Sequence, residues 1–236
     1  EPVALKLKIF SLCFFAMAMA EYGRVAPEGG QVWRAEALDT LTDILTLVER
    51  PENLGRPQLS GQEPVSELAV PMILLNVAAE LRDDVATGPT DFDGIQAHCV
   101  ATIRRHMRPE RKLLHETVGA DGSLLLHRPE GRLITPGHAI EAGWFLLEHA
   151  EAIGDETLRD EALWIIEGAL DFGTDPEHGG LFYFLDSEGL SPTQLEWSQK
   201  LWWPHCEAMV ATAMAWRVTG DDAWWQRFEC IADYTF

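Results

Sequence analysis

His138-Ala139-Ile140-Glu141-Ala142-Gly143-Trp144-Phe145-Leu146-Leu147-Glu148-His149-Ala150 is followed, past Gly154, by the stretch DETLRDEALWIIEGALDF at residues 155–172. Both segments repeat apolar residues at helical spacing. The first is apolar around most of its circumference, whereas the second keeps an ordinary polar face. A helix apolar all round is buried and a two-faced helix lies at a surface. An inner helix is therefore followed by an outer one. Gly154 ends the first, and Asp155 is a natural N-cap for the second.

The same alternation extends in both directions. IFSLCFFAMAMA (9–20) precedes VWRAEALDTLTDILTLVER (32–50), AVPMILLNVAAEL (69–81) precedes GIQAHCVATIRRHM (94–107), and HCEAMVATAMAW (205–216) precedes DDAWWQRFECIADYTF (221–236). The periodicity predicts helices at about 4–24, 31–49, 66–82, 92–107, 138–153, 155–173, 198–218 and 221–235, in four pairs that recur roughly every 60 to 70 residues. Alternating inner and outer helices describe an all-α fold of the (α/α) barrel or toroid type. A six-pair ring needs twelve helices, so eight leave it open. Glu1 is not a methionine, and the last segment is still amphipathic at Phe236. One (α/α)6 barrel domain over 1–236, truncated at both ends, is the expectation. Two β-hairpins are expected as lids: Leu113–His127 around Ala120-Asp121-Gly122, and Gly180–Leu190 around Ser187-Glu188-Gly189.

Composition excludes several functions. With 236 residues, 47% of them hydrophobic, the chain is globular and not disordered. Its formal charge of −20 repels phosphate backbones and anionic lipid, so no nucleic-acid or membrane partner is expected. Lys6 and Lys8 before the apolar run 9–20 imitate a signal peptide, but the run is too short to span a bilayer and the helical pattern continues past it. The four cysteines (Cys13, Cys99, Cys206, Cys230) are widely spaced, as in a reducing compartment, so a cytoplasmic location is expected.

Two stretches carry chemistry. In Thr135-Pro136-Gly137-His138-Ala139-Ile140-Glu141, His138 sits in the first turn of a helix with Glu141 three residues on. A carboxylate so placed can hold the imidazole and raise its pKa, as a proton-abstracting base requires. The alternative is a polar pair that only caps the helix. In WSQKLWWPHCE (197–207), three tryptophans stand beside His205 and Glu207. Stacked indoles suit the apolar face of a sugar ring, and a Trp-rich core seam is the alternative. Pro204 kinks this helix or marks its start. Arg56 and the glycines of the loop 52–61 could cradle an anion, though no Walker pattern is present and an ordinary connection is the alternative. His178 reads as structural. No HExxH, nucleophile elbow or GxGxxG appears, and no metal is expected.

The motifs KIFSLCFFAMAMAEY, LGRPQLSG, AVPMILLN, PGHAIEAGWFLLEH, DPEHGGLFYF and SPTQLEWSQKLWWPHCEAM resemble the N-acylglucosamine 2-epimerase (renin-binding protein) family over nearly the whole chain. The resemblance implies an (α/α)6 barrel that interconverts N-acetylglucosamine and N-acetylmannosamine: the sugar ring opens, a base removes the C2 proton, and a proton returns on the other face. No cofactor is required for that chemistry, and a nucleotide (ATP) acts as activator. His138 matches one of two opposed histidines, and Glu141 a carboxylate that orients it. Glu207 matches an acid of the sugar pocket, and Trp203 (or Trp202) an aromatic wall, with His205 close by. Arg56 falls where nucleotide is contacted. The second histidine and a substrate-polarising arginine belong to segments outside 1–236, so this piece alone is expected to be inactive. Three rivals stand beside this reading: a cellobiose 2-epimerase or mannose isomerase on the same scaffold, a glycoside hydrolase using Glu141 and Glu207, and a non-catalytic binder with a protease partner. The apolar face around Trp224 and Trp225 is either a homodimer seam or the cover of further helices.

Overall fold

The computed structural model describes residues 9–26, 28–50, 61, 63–82 and 90–236. These are mostly helical, with nine helices among the described residues. They form two compact units, Glu1–Glu63 with Ile73–Cys99 and Pro64–Met72 with Val100–Phe236.

In the first unit, α1 (Ile9–Val25) packs on α2 (Gly30–Glu49). The two helices nearly touch where the turn joins them: a Cβ on Gly30 would lie 2.2 Å from the Gly23 carbonyl oxygen, so only glycine fits. Cys13, Ala16 and Ala20 are buried, but Phe14 and Phe15 are exposed. The apolar circumference of α1 is thus covered on one side only among the described residues, not all round as predicted. α3 (Ala69–Arg82) and α4 (Phe92–Arg105) contribute to both units. In the first, the Arg82 guanidinium donates to Gln96 at 2.9 Å and pairs with Asp93 at 2.7 Å.

The second unit follows the predicted alternation. α6 (Pro136–Ile153) buries eleven of its eighteen residues and packs on α7 (Glu156–Gly173) and α8 (Trp202–Thr219), while α9 (Asp222–Thr235), packed on α8, buries none. The predicted cap at Asp155 is present, and Asp221 caps α9 in the same way. Asp155 accepts from the Leu158 N–H at 3.0 Å, and Asp221 accepts from the Ala223 N–H at 2.9 Å. α8 starts at Trp202 rather than 198 because Pro204, lacking an N–H, fits the first turn without breaking a helical bond.

Neither predicted hairpin forms. β1 (Val65–Glu67), expected as helix, pairs antiparallel with β4 (Thr117–Gly119). β2 (Met107–Arg108) pairs with β3 (Leu113–Leu114) across a 3-10 turn at Pro109–Arg111. β5 (Leu133–Ile134), after the short helix α5 (Pro129–Arg132), pairs with β6 (Leu185–Asp186). The turns at Asp121-Gly122 and Glu188-Gly189 exist, closed by the Asp121 and Asp186 side chains, but their flanks turn away to distant partners. The β5–β6 clip is locked by Arg132, which donates to Asp186 at 2.9 Å and to the Leu126 carbonyl at 3.1 Å. Among the described residues, no helix is long and apolar enough to cross a membrane. The four cysteines carry free thiols.

Candidate active site

The site lies wholly within the second unit. Pro136 fixes the first turn of α6, and His138 is its third residue. Between them Gly137 leaves room for an indole: a Cβ there would lie 2.5 Å from the Trp203 ring. Trp203, in the first turn of α8, therefore closes against His138 with ring centroids 5.5 Å apart. Tyr183 meets Trp203 edge-on at 6.2 Å.

Sequence spacing assigns Glu141 as the imidazole's partner, and the structure corrects this. His138 Nδ1 bonds Glu116 Oε1 at 3.0 Å, whereas Glu141 acts on the ring only through its charge. An i, i+3 pair shares a helix face, but a side chain from another segment can approach the ring end-on. Glu116 precedes β4 and is 12% exposed in its side chain; that of His138 is 30% exposed. The main chain of Glu116 is pinned on both sides: Leu68 N–H donates to its carbonyl at 2.9 Å, and its own N–H donates to Leu133 O at 3.2 Å. The Thr135 hydroxyl also favours its charged form.

Burial is the largest single influence on His138 and disfavours its charged form, but the charge and hydrogen bond of Glu116, with the charge of Glu141, outweigh it, so the net shift is upward. Burial likewise opposes the Glu116 carboxylate, and His138, the Thr135 hydroxyl and His106 reverse it, so its pKa falls. Each therefore favours the charged form of the other. One turn along α6, burial and then the charge of Glu207 push Glu141 up to about 7, against the pull of His138. Burial raises Glu207 too, partly offset by the Trp144 indole N–H, which donates to Glu207 Oε2 at 2.7 Å. The cluster thus holds an imidazole bonded to a carboxylate, two acids that keep protons unusually late, and a packed indole. It can transfer protons and hydrogen-bond a polar ligand.

The other predicted residues fall elsewhere. His205 is 3% exposed, and both its ring nitrogens are taken by main chain: Nε2 accepts from the Leu181 N–H at 2.9 Å and Nδ1 donates to Leu201 O at 2.6 Å. It stacks on Tyr234 and lines the cavity beside α9, where its two bonds tie the loop at Leu181 to the start of α8. Trp202 is 75% exposed, and of the two indoles it is Trp203 that packs against His138. Arg56 lies outside the described residues. Asp175 holds the loop before α8, accepting from Lys200 at 2.8 Å, with the Lys200 ammonium 3.5 Å above the Phe182 ring. That bond is the main reason the Asp175 carboxyl falls to about 2, despite burial. A cavity of about 460 Å³ lies between α7, α9 and Gly179–Leu181, away from His138 and walled largely by apolar groups.

A family model of N-acylglucosamine 2-epimerase (GlcNAc 2-epimerase) matches residues 5–236. The chain belongs to that family. It is 43% identical over 245 residues to N-acylglucosamine 2-epimerase of Bos taurus, a match covering 100% of this chain and 56% of the relative. The chain therefore spans little more than half the length of the curated relatives it matches. Among solved structures it is similar to cellobiose 2-epimerase from Bacillus thermoamylovorans, with TM-score 0.71 and 19% identity over 96% of this chain and 59% of that one. It is also similar to a D-mannose isomerase, with TM-score 0.72 and 13% identity over 96% and 60%. At such identities the likeness shows the fold, which is of the (α/α)6 toroid class.

Proposed function

We propose that a protein containing this chain is a sugar 2-epimerase that interconverts N-acetylglucosamine and N-acetylmannosamine, with His138 carrying the proton on one face of C2. The observation that supports it is the His138–Glu116 pair beside the Trp203 ring, in a chain of this family. In the open-chain sugar the C2 hydrogen is acidic because the C1 carbonyl takes up the electron pair as an enediolate. A base removes that hydrogen on one face and an acid returns one on the other, so nothing is oxidised. His138, held charged by Glu116, is the acid for one direction. Having delivered its proton it is the base for the reverse. Glu141 and Glu207 hydrogen-bond sugar oxygens, and Trp203 covers the apolar ring face. The proposal extends to a cytoplasmic setting and to a nucleotide activator near Arg56.

Deuterium wash-in at C2 of N-acetylmannosamine tests the reading, with the His138→Asn variant as comparison. Loss of exchange in the variant supports it, and exchange near the original rate refutes it. Mannose and cellobiose in the same assay decide the substrate class.

A further inference from the structure

Resting on that reading, we propose that Glu116, and not Glu141, is the positioning residue of the site: it holds His138 by Nδ1 and so presents Nε2 as the nitrogen that exchanges protons with substrate. Three observations carry this. The first is the bond itself, at 3.0 Å, to a carboxylate that is nearly buried. An exposed pair would contribute little, but this one is shielded from water. His138 Nε2 makes no hydrogen bond among the described residues, so it is the nitrogen left for a ligand.

The second is the scaffold under Glu116. His106 and His115 are both fully buried. The His115 carbonyl can only accept, so His106 Nδ1, 2.8 Å away, carries the hydrogen. Burial is the main reason His106 stays neutral, despite the charge of Glu116. Its Nε2 is then an acceptor, and the Ser66 hydroxyl donates to it at 2.9 Å. His115 Nδ1 likewise donates to Gly131 O at 2.8 Å. Two uncharged imidazoles thus fix the main chain on the N-terminal side of Glu116 without competing for its charge.

The third is the census of neighbours. The titratable groups around the His138 ring are Glu116 from the segment before β4 and Glu141 from its own helix. Glu207 of α8 acts on Glu141, and His106 on Glu116. Of these groups, Glu116 is the one that hydrogen-bonds the ring among the described residues. Glu141, which holds its proton up to about pH 7, exerts its charge on His138 chiefly above that pH.

Histidine NMR titration of the 236-residue chain tests this without any turnover. The His138 midpoint is expected to move to lower pH in Glu116→Gln, and to move less in Glu141→Gln. Glu116→Asp, which keeps the charge, is expected to recover most of the shift. An unmoved midpoint in Glu116→Gln, or a larger displacement in Glu141→Gln, overturns the assignment. Should Glu116→Gln not fold, the ¹⁵N shifts of the unmodified chain decide: the neutral ring is expected as the Nδ1–H tautomer, and an Nε2–H tautomer overturns the proposal. In a turnover assay of a protein carrying this chain, Glu116→Gln is expected to lower kcat roughly 10- to 100-fold with KM little changed, the scale typical of a partner that orients a functional histidine. If His138→Asn retains epimerisation, the enzymatic reading fails while the titration still judges the role of Glu116.

Discussion

His138 and His205 stand at matching places. Each lies in the first turns of an inner helix, each closely follows a proline, and each has a glutamate just downstream. Their surroundings make them opposites. His205 has both nitrogens spent on main-chain groups and its ring stacked under Tyr234. His138 spends one nitrogen on a carboxylate, and the other makes no hydrogen bond among the described residues. A ring with both nitrogens occupied ties a loop to a helix, and a ring with one free nitrogen can pass a proton. Burial and partners, not spacing along the helix, separate the two roles.

The contrast can be broken by substitution. In a protein carrying this chain, His138→Asn is expected to slow epimerisation about 10³-fold, within the range for a proton-transfer group. Its urea midpoint should barely change. His205→Ala is expected to do the reverse, lowering unfolding free energy on the order of 3 kcal/mol by orphaning the Leu181 N–H and opening a cavity, while the NMR titration of His138 stays where it was. A large kcat loss in His205→Ala with unchanged stability would erase the distinction.

Glu141 sharpens it through pH. Its carboxyl, near 4.5 in an unfolded chain, sits at about 7 in the fold. Between those values the folded state binds a proton that the unfolded state has lost. Stability is therefore full below about pH 4.5 and declines as pH rises through 7. Glu141→Gln removes the penalty. Urea unfolding should find the variant more stable at pH 8 by on the order of 2 kcal/mol, with no advantage at pH 4.5. The smallest contrast is between adjacent indoles. Trp203→Leu is expected to raise KM for N-acetylmannosamine about tenfold, whereas Trp202→Ala should leave KM and stability within about 0.5 kcal/mol of the original.

What the sequence shows and what it hides follow the range of the interactions. The alternation of helices, the cap Asp155 and a helix start beside His138 are local, and all are present. His138 and Trp203 were legible because each sits in a helix-start motif that is unusual in composition. The strands were not, since each turn flank carries the right alternation but pairs with a segment that local pattern cannot name. Glu116 was missed for the same reason. It stands 22 residues before His138, in a stretch with no helical period linking the two. The sole hint was polar His115-Glu116 within an otherwise apolar run. His205 misled because composition reports a neighbourhood of aromatic rings but not which nitrogen a carbonyl will claim.

The grip on Glu116 has a kinetic corollary. Its carbonyl is held by Leu68, 48 residues earlier, and its N–H by Leu133, on the far side of β4. Helical hairpins such as α6–α7 close over short distances and assemble quickly, whereas contacts across long stretches must await loop closure. During renaturation, far-ultraviolet dichroism should thus recover well before the carboxylate reaches its ring, and the Glu116-dependent titration of His138 is the last property the chain acquires.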